Sequence, residues 1–80
     1  MYYIYILKSL KTKELYKGLT NNMARRLKQH FSGRVKSTRG KRPLKVVHVE
    51  ICQNRASARR TEKLFKSGYG REIIRELLNC

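Results

Sequence analysis

Tyr3-Ile4-Tyr5-Ile6, Leu15-Tyr16-Lys17-Gly18 and Asn22-Met23-Ala24-Arg25-Arg26-Leu27-Lys28-Gln29-His30 follow one another within the first thirty residues of an 80-residue chain. The first two stretches are aromatic and β-branched, as strands are, and the polar run Ser9 to Glu14 between them reads as a turn. An antiparallel hairpin is the economical connection. Side chains alternate along a strand, so Tyr3, Tyr5 and Leu7 share one face and Tyr16 and Gly18 share one face of the partner. A two- or four-residue loop then puts Tyr5 and Tyr16 on the same side of the sheet.

Thr20, Asn21 and Asn22 are N-cap candidates for a helix from Met23 to Phe31, on which Met23, Leu27 and His30 form the buried stripe. Arg26 stands one turn before His30. Ser32 to Pro43 is basic, contains Gly33 and Gly40, and reads as a mobile loop. Leu44 to Cys52, rich in Val and Ile, is the third strand and is expected at the centre of the sheet. Asn54 caps a second helix that runs to about Lys66 and stops at Gly68; a third, near Gly70 to Leu78, carries Ile73, Ile74, Leu77 and Leu78. The order β-β-α-β-α-α predicts a single α/β domain over residues 1–80, a small three-stranded antiparallel sheet flanked by helices.

Twenty Lys and Arg against five Glu give a net charge of +15, spread over the whole chain. Such a surface attracts polyanions and releases counterions when it meets phosphates. No apolar run approaches the roughly 20 residues of a membrane span. The uncharged start Met-Tyr-Tyr-Ile-Tyr-Ile-Leu is a poor secretion signal and a good first strand. Cys52 and Cys80 have no metal-site spacing and are expected as reduced thiols of a cytoplasmic protein, a bridge between them being the alternative.

Glu62 falls between Ala58 and Phe65 at i, i+4 and i+7, an acid within an apolar stripe. A buried carboxylate needs a partner, here an Arg or a divalent cation, unless the residue simply faces solvent. Singly, strand tyrosines pack on cores, a helix arginine is a solvated charge, and a histidine on an apolar stripe is a core residue. Together, Tyr5, Tyr16, Arg26, His30 and Glu62 have the functional groups to bind a phosphate, move a proton and hold Mg²⁺ or Mn²⁺. Arg25, Lys28, Arg34, Lys36, Arg39, Lys41 and Arg42 are the candidate contacts to a phosphate backbone.

These stretches resemble the GIY-YIG nuclease superfamily. Tyr3-Ile4-Tyr5 stands where that family has Gly-Ile-Tyr, and Tyr16-Lys17-Gly18 where it has Tyr-Ile-Gly. The following helix is similar too, with Arg26 ten and His30 fourteen residues after Tyr16. Ala58-Arg59-Arg60-Thr61-Glu62-Lys63 resembles the helix bearing the family's metal-binding acid. Thr38-Arg39-Gly40-Lys41-Arg42-Pro43 is similar to a stretch of the small stand-alone bacterial members, related to Slx-type structure-specific endonucleases and more distantly to the excinuclease nuclease domain. Tyr3 replaces the first glycine, Lys17 a β-branched residue, and the family's later asparagine has no clear counterpart.

The resemblance implies hydrolysis of phosphodiesters in DNA, branched or nicked substrates and repair intermediates among them. It implies one Mg²⁺ or Mn²⁺ at Glu62, Tyr16 activating water with Tyr5 assisting, Arg26 on the scissile phosphate, and His30 shuttling a proton or positioning Tyr16. RNA remains a possible ligand and a protein partner a possible source of specificity. The alternative is a module that holds nucleic acid without cutting it. The charge alone predicts that nucleic-acid affinity falls steeply as salt rises. Arg39→Ala and Arg42→Ala should each lower the log–log slope by about 1 if they touch phosphate. A flat salt dependence in binding titrations would contradict this.

Overall fold

The computed structural model describes residues 1–67. The elements are β1 (Tyr2–Ser9), β2 (Leu15–Thr20), α1 (Met23–Phe31), α2 (Lys36–Arg39), β3 (Leu44–Cys52) and α3 (Arg55–Lys66). The third helix expected near Gly70 to Leu78, its stop at Gly68, and Cys80 lie outside the described residues.

The sheet is antiparallel with strand order β2-β1-β3. The central strand is therefore β1, and β3 is an edge, contrary to the expectation from its Val- and Ile-rich run. Ladder pairing on both sides, not composition, makes a strand central. Ile4, Tyr5, Ile6 and Leu7 of β1 are all fully buried, whereas Val49 and Ile51 of β3 remain exposed. The β1–β3 register shifts between Ile6 and Leu7, with Val47 as the extra residue of a bulge.

The hairpin closes with Ser9 N–H donating to Glu14 O at 2.8 Å, leaving the four-residue loop Leu10 to Lys13. Ser9 is buried, and its hydroxyl accepts from the amides of Lys11 and Thr12 while donating to Lys41 O at 2.6 Å. Lys13 takes the left-handed conformation, φ 67°. Tyr5 pairs with Gly18 and Leu7 with Tyr16, so the two phenols share a face as alternation requires.

The opposite face is apolar. Ile4 and Ile6 pack with Cys52, Ala58 and Phe65, and α3 lies over this side. Burying each large side chain there contributes about 2 kcal/mol. Asn54 caps α3 by accepting from the Ser57 amide, and Asn22 caps α1 by accepting from Arg25 N–H. Cys52 is a free, buried thiol.

Ser32 to Pro43 is not the open loop that its composition suggests. It contains α2, whose Thr38 is fully buried, and it is tied down by Ser9 to Lys41 O and by the Lys41–Glu14 ion pair at 2.6 Å. Gly33, at φ +83°, lies against the Arg42 guanidinium.

Gly18 is fixed by contact. A Cβ there would fall on Cζ and the hydroxyl of Tyr5, so the second motif ends in glycine because the phenol lies directly over its backbone. Gly18→Ala should displace that ring and cost about 1–3 kcal/mol. Gly40→Ala, where a Cβ meets nothing within 4 Å, should be near neutral. Denaturant melts of the two variants check this, and equal midpoints would contradict it.

Candidate active site

Four of the five predicted catalytic side chains meet on one face of the sheet. Tyr5 of β1 and His30 of α1 are fully buried, with 2.7 Å between the Tyr5 hydroxyl and Nε2. Arg26, one turn earlier on α1, donates from Nε to the same hydroxyl at 3.3 Å and from a terminal nitrogen to Gln29 Oε1 at 3.1 Å. The Tyr16 ring stands 6.2 Å from that of Tyr5 and 5.0 Å, edge-on, from His30. Its hydroxyl also interacts with Arg26. Tyr16 and Arg26 are only partly buried, so they are the members of the group that a ligand can touch.

The other His30 nitrogen, Nδ1, lies 2.8 Å from the Thr38 hydroxyl. Thr38 is not a candidate on sequence grounds; a threonine within a basic run is a weak signal, although it opens the stretch shared with the small bacterial members.

Burial, seconded by the Arg26 charge, lowers the His30 pKa from 6.5 to about 4, so the imidazole is neutral at pH 7. Burial likewise raises the Tyr5 pKa, against the opposing hydrogen bond from Arg26, and keeps Tyr5 protonated. The hydrogen bond to Tyr5 raises the Arg26 pKa and secures its charge.

Glu62 is not in this group. Its helix packs on the opposite, apolar face, and its ion-pair partner is Lys66 at 3.7 Å rather than an Arg. Around α3, Thr61 points toward Cys52 of β3. Glu62 lies about 100° further round, on the side of the helix where Arg55 lines a cleft with Leu19 and Thr20 of β2. Arg55 occupies the same flank, seven residues earlier. Among the described residues no three His, Cys, Asp or Glu gather around a metal-sized gap. A lone carboxylate of hard oxygen donors fits Mg²⁺ or Mn²⁺, which keep several waters and take a substrate phosphate as a further ligand, and does not fit a metal needing an all-protein cage.

The basic residues divide. Arg25 and Arg26 line a cleft of about 470 Å³ with Tyr2, Thr20, Gln29 and Arg55. Arg55 carries no signal in the sequence beyond its charge. Arg25 also lines a second cleft with Lys28 and Arg34. Lys36 and Arg39 are exposed on α2. Lys41 is paired to Glu14, and Arg42 donates to Arg39 O at 3.1 Å.

A buried aromatic–imidazole pair beneath a phenol and a guanidinium, on a β2-β1-β3 sheet, defines a GIY-YIG-type domain. The chain belongs to this family: the GIY-YIG catalytic domain matches residues 1–75. It is 43% identical over 67 residues to the UPF0213 protein of Clostridium perfringens, a match spanning 82% of this chain and 71% of that one. Against the UPF0213 protein of Natronomonas pharaonis it is 37% identical over 67 residues, 82% and 78% of the two chains. The solution NMR structure of a UPF0213 protein from Bacillus halodurans superimposes with a TM-score of 0.58 at 34% identity, covering 96% of this chain and 85% of that one. No described helix is long and apolar enough to cross a membrane.

The depressed His30 pKa makes folding sensitive to pH. The unfolded chain takes up the proton near pH 6.5 and the folded chain only near pH 4. Stability from this group is thus complete above about 6.5 and is lost as pH falls toward 4, by about 3 kcal/mol in all. Urea denaturation across this window should show the slope, and His30→Gln should flatten it. An identical slope in both proteins would contradict the assignment.

Proposed function

We propose that the protein is a metal-dependent endonuclease that hydrolyses phosphodiester bonds in DNA. The observation that supports this best is the convergence of Tyr16 and Arg26 over the buried Tyr5–His30 pair, beside an arginine-lined cleft. Tyr16 orients the attacking water by accepting a hydrogen bond from it, since it is the phenol with access to solvent. Arg26 donates to the non-bridging oxygens and offsets the charge that builds on them in the transition state. Tyr5 and His30 touch no substrate; they hold Tyr16 and Arg26 in register. Glu62 is the residue to hold Mg²⁺ or Mn²⁺, which when bound supplies a Lewis acid for the phosphate. Arg25, Arg55, Lys28 and Arg34 continue the positive surface along which a strand lies. We place the protein in the cytoplasm, where a free thiol such as Cys52 persists, and branched or nicked repair intermediates among its substrates.

One observation favours a second reading. Glu62 is carried by the helix on the apolar face and its carboxylate is paired with Lys66, as suits a module that binds nucleic acid without cutting it. A panel of linear, nicked, branched and single-stranded DNA, with and without Mg²⁺ or Mn²⁺, separates the two. The enzyme should cut at least one substrate only with metal, and Tyr16→Phe or Glu62→Ala should lower the rate by about 100-fold or more. Binding by the parent with no cleavage of any substrate would favour the module.

A further inference from the structure

The Thr38 hydroxyl is fully buried, and among the described residues its one hydrogen-bond partner is Nδ1 of His30 at 2.8 Å. A hydroxyl proton needs an acceptor, and a neutral imidazole offers one donor and one acceptor nitrogen. Were Nδ1 the protonated nitrogen, it would donate to Thr38, and the threonine's own proton would be buried without an acceptor. With Nδ1 as the acceptor every group is satisfied.

We propose that Thr38 is a positioning residue: its hydroxyl donates to Nδ1, holds His30 as the Nε2–H tautomer and thereby sets the direction of the hydrogen bonds at Tyr5, beside Tyr16. Nε2–H then donates to the Tyr5 oxygen across the 2.7 Å contact, and Arg26 Nε–H donates to it at 3.3 Å. Both acceptor positions of Tyr5 are filled, so its own proton is turned away from His30 and Arg26, with the Tyr16 ring 6.2 Å from its own. With Tyr5 buried and its oxygen occupied, the half-buried Tyr16 is the phenol that serves the reaction. Burial keeps Tyr5 protonated in this arrangement. The groups facing this chain are Arg26 and Gln29 of α1, Thr38 of α2, Tyr5 of β1 and Tyr16 of β2. Arg26 is the charged one. The tautomer follows from geometry alone; its effect on catalysis rests on the nuclease reading.

Imidazole ¹⁵N NMR of the full chain at neutral pH reads the tautomer directly. The parent should carry the proton on Nε2, Thr38→Val, which keeps the shape and loses the hydroxyl, should give a mixture, and Thr38→Ser should restore the parent spectrum. In cleavage assays Thr38→Val should lower kcat about tenfold, the worth of one hydrogen bond, with KM unchanged and Ser rescuing it. A parent protonated on Nδ1, or a Thr38→Val variant with tautomer and kcat unaltered, would overturn the proposal. Should Thr38→Val fail to fold, the parent spectrum still decides. A parent with the expected tautomer that cuts no nucleic acid would overturn the nuclease reading and leave the role of Thr38 in the tautomer supported.

Discussion

An uncharged imidazole sealed between two hydroxyls is the constraint on which this site depends. His30 cannot carry a proton at neutral pH, because burial and the neighbouring guanidinium both oppose it. It is therefore a fixed dipole with Thr38 on one side and Tyr5 on the other. Tyr5 in turn fixes Arg26, and its ring lies over the backbone of Gly18. Placing Tyr16 and Arg26 thus needs no residue from the far side of the sheet.

The sheet separates two tasks by alternation. Even-numbered residues of β1, Ile4 and Ile6, bind α3 through Ala58 and Phe65 and supply the apolar burial that a small domain needs. The odd-numbered Tyr5 and Leu7 face the other way and oppose Gly18 and Tyr16. A one-residue slip of either strand would exchange the faces. A hairpin held at Ser9, with its four-residue loop, is consequently a condition of the site and not only of the fold.

What the sequence made legible was local. Alternation over Tyr3 to Leu7 and Tyr16 to Gly18 was enough to align the phenols, and helical spacing was enough to bring Arg26 and His30 to them. Cap residues announced both helices, Asn54 singly and Asn22 as one of three candidates with Thr20 and Asn21. Strand order was not legible, because the β-branched run of β3 reads the same whether one or both of its edges are paired. Nor was the order in Ser32 to Pro43, which comes from contacts distant in sequence: Thr38 to His30, Lys41 to Ser9 and to Glu14. The spacing of Glu62 located it beside the buried stripe of α3 but carried no information on which face of the sheet that stripe would cover.

Charge and geometry reinforce each other. A chain of +15 attracts a polyanion from any direction, while the cleft joining Arg25, Arg26 and Arg55 gives it a place that Arg26 links to Tyr5. All of this presumes that the imidazole beneath them stays neutral. A proton NMR titration of the His30 ring measures that most directly. The account requires a midpoint of about 4; a midpoint near the ordinary 6.5 would mean that the ring is neither sealed nor held between Tyr5 and Thr38, and the arrangement described would be wrong.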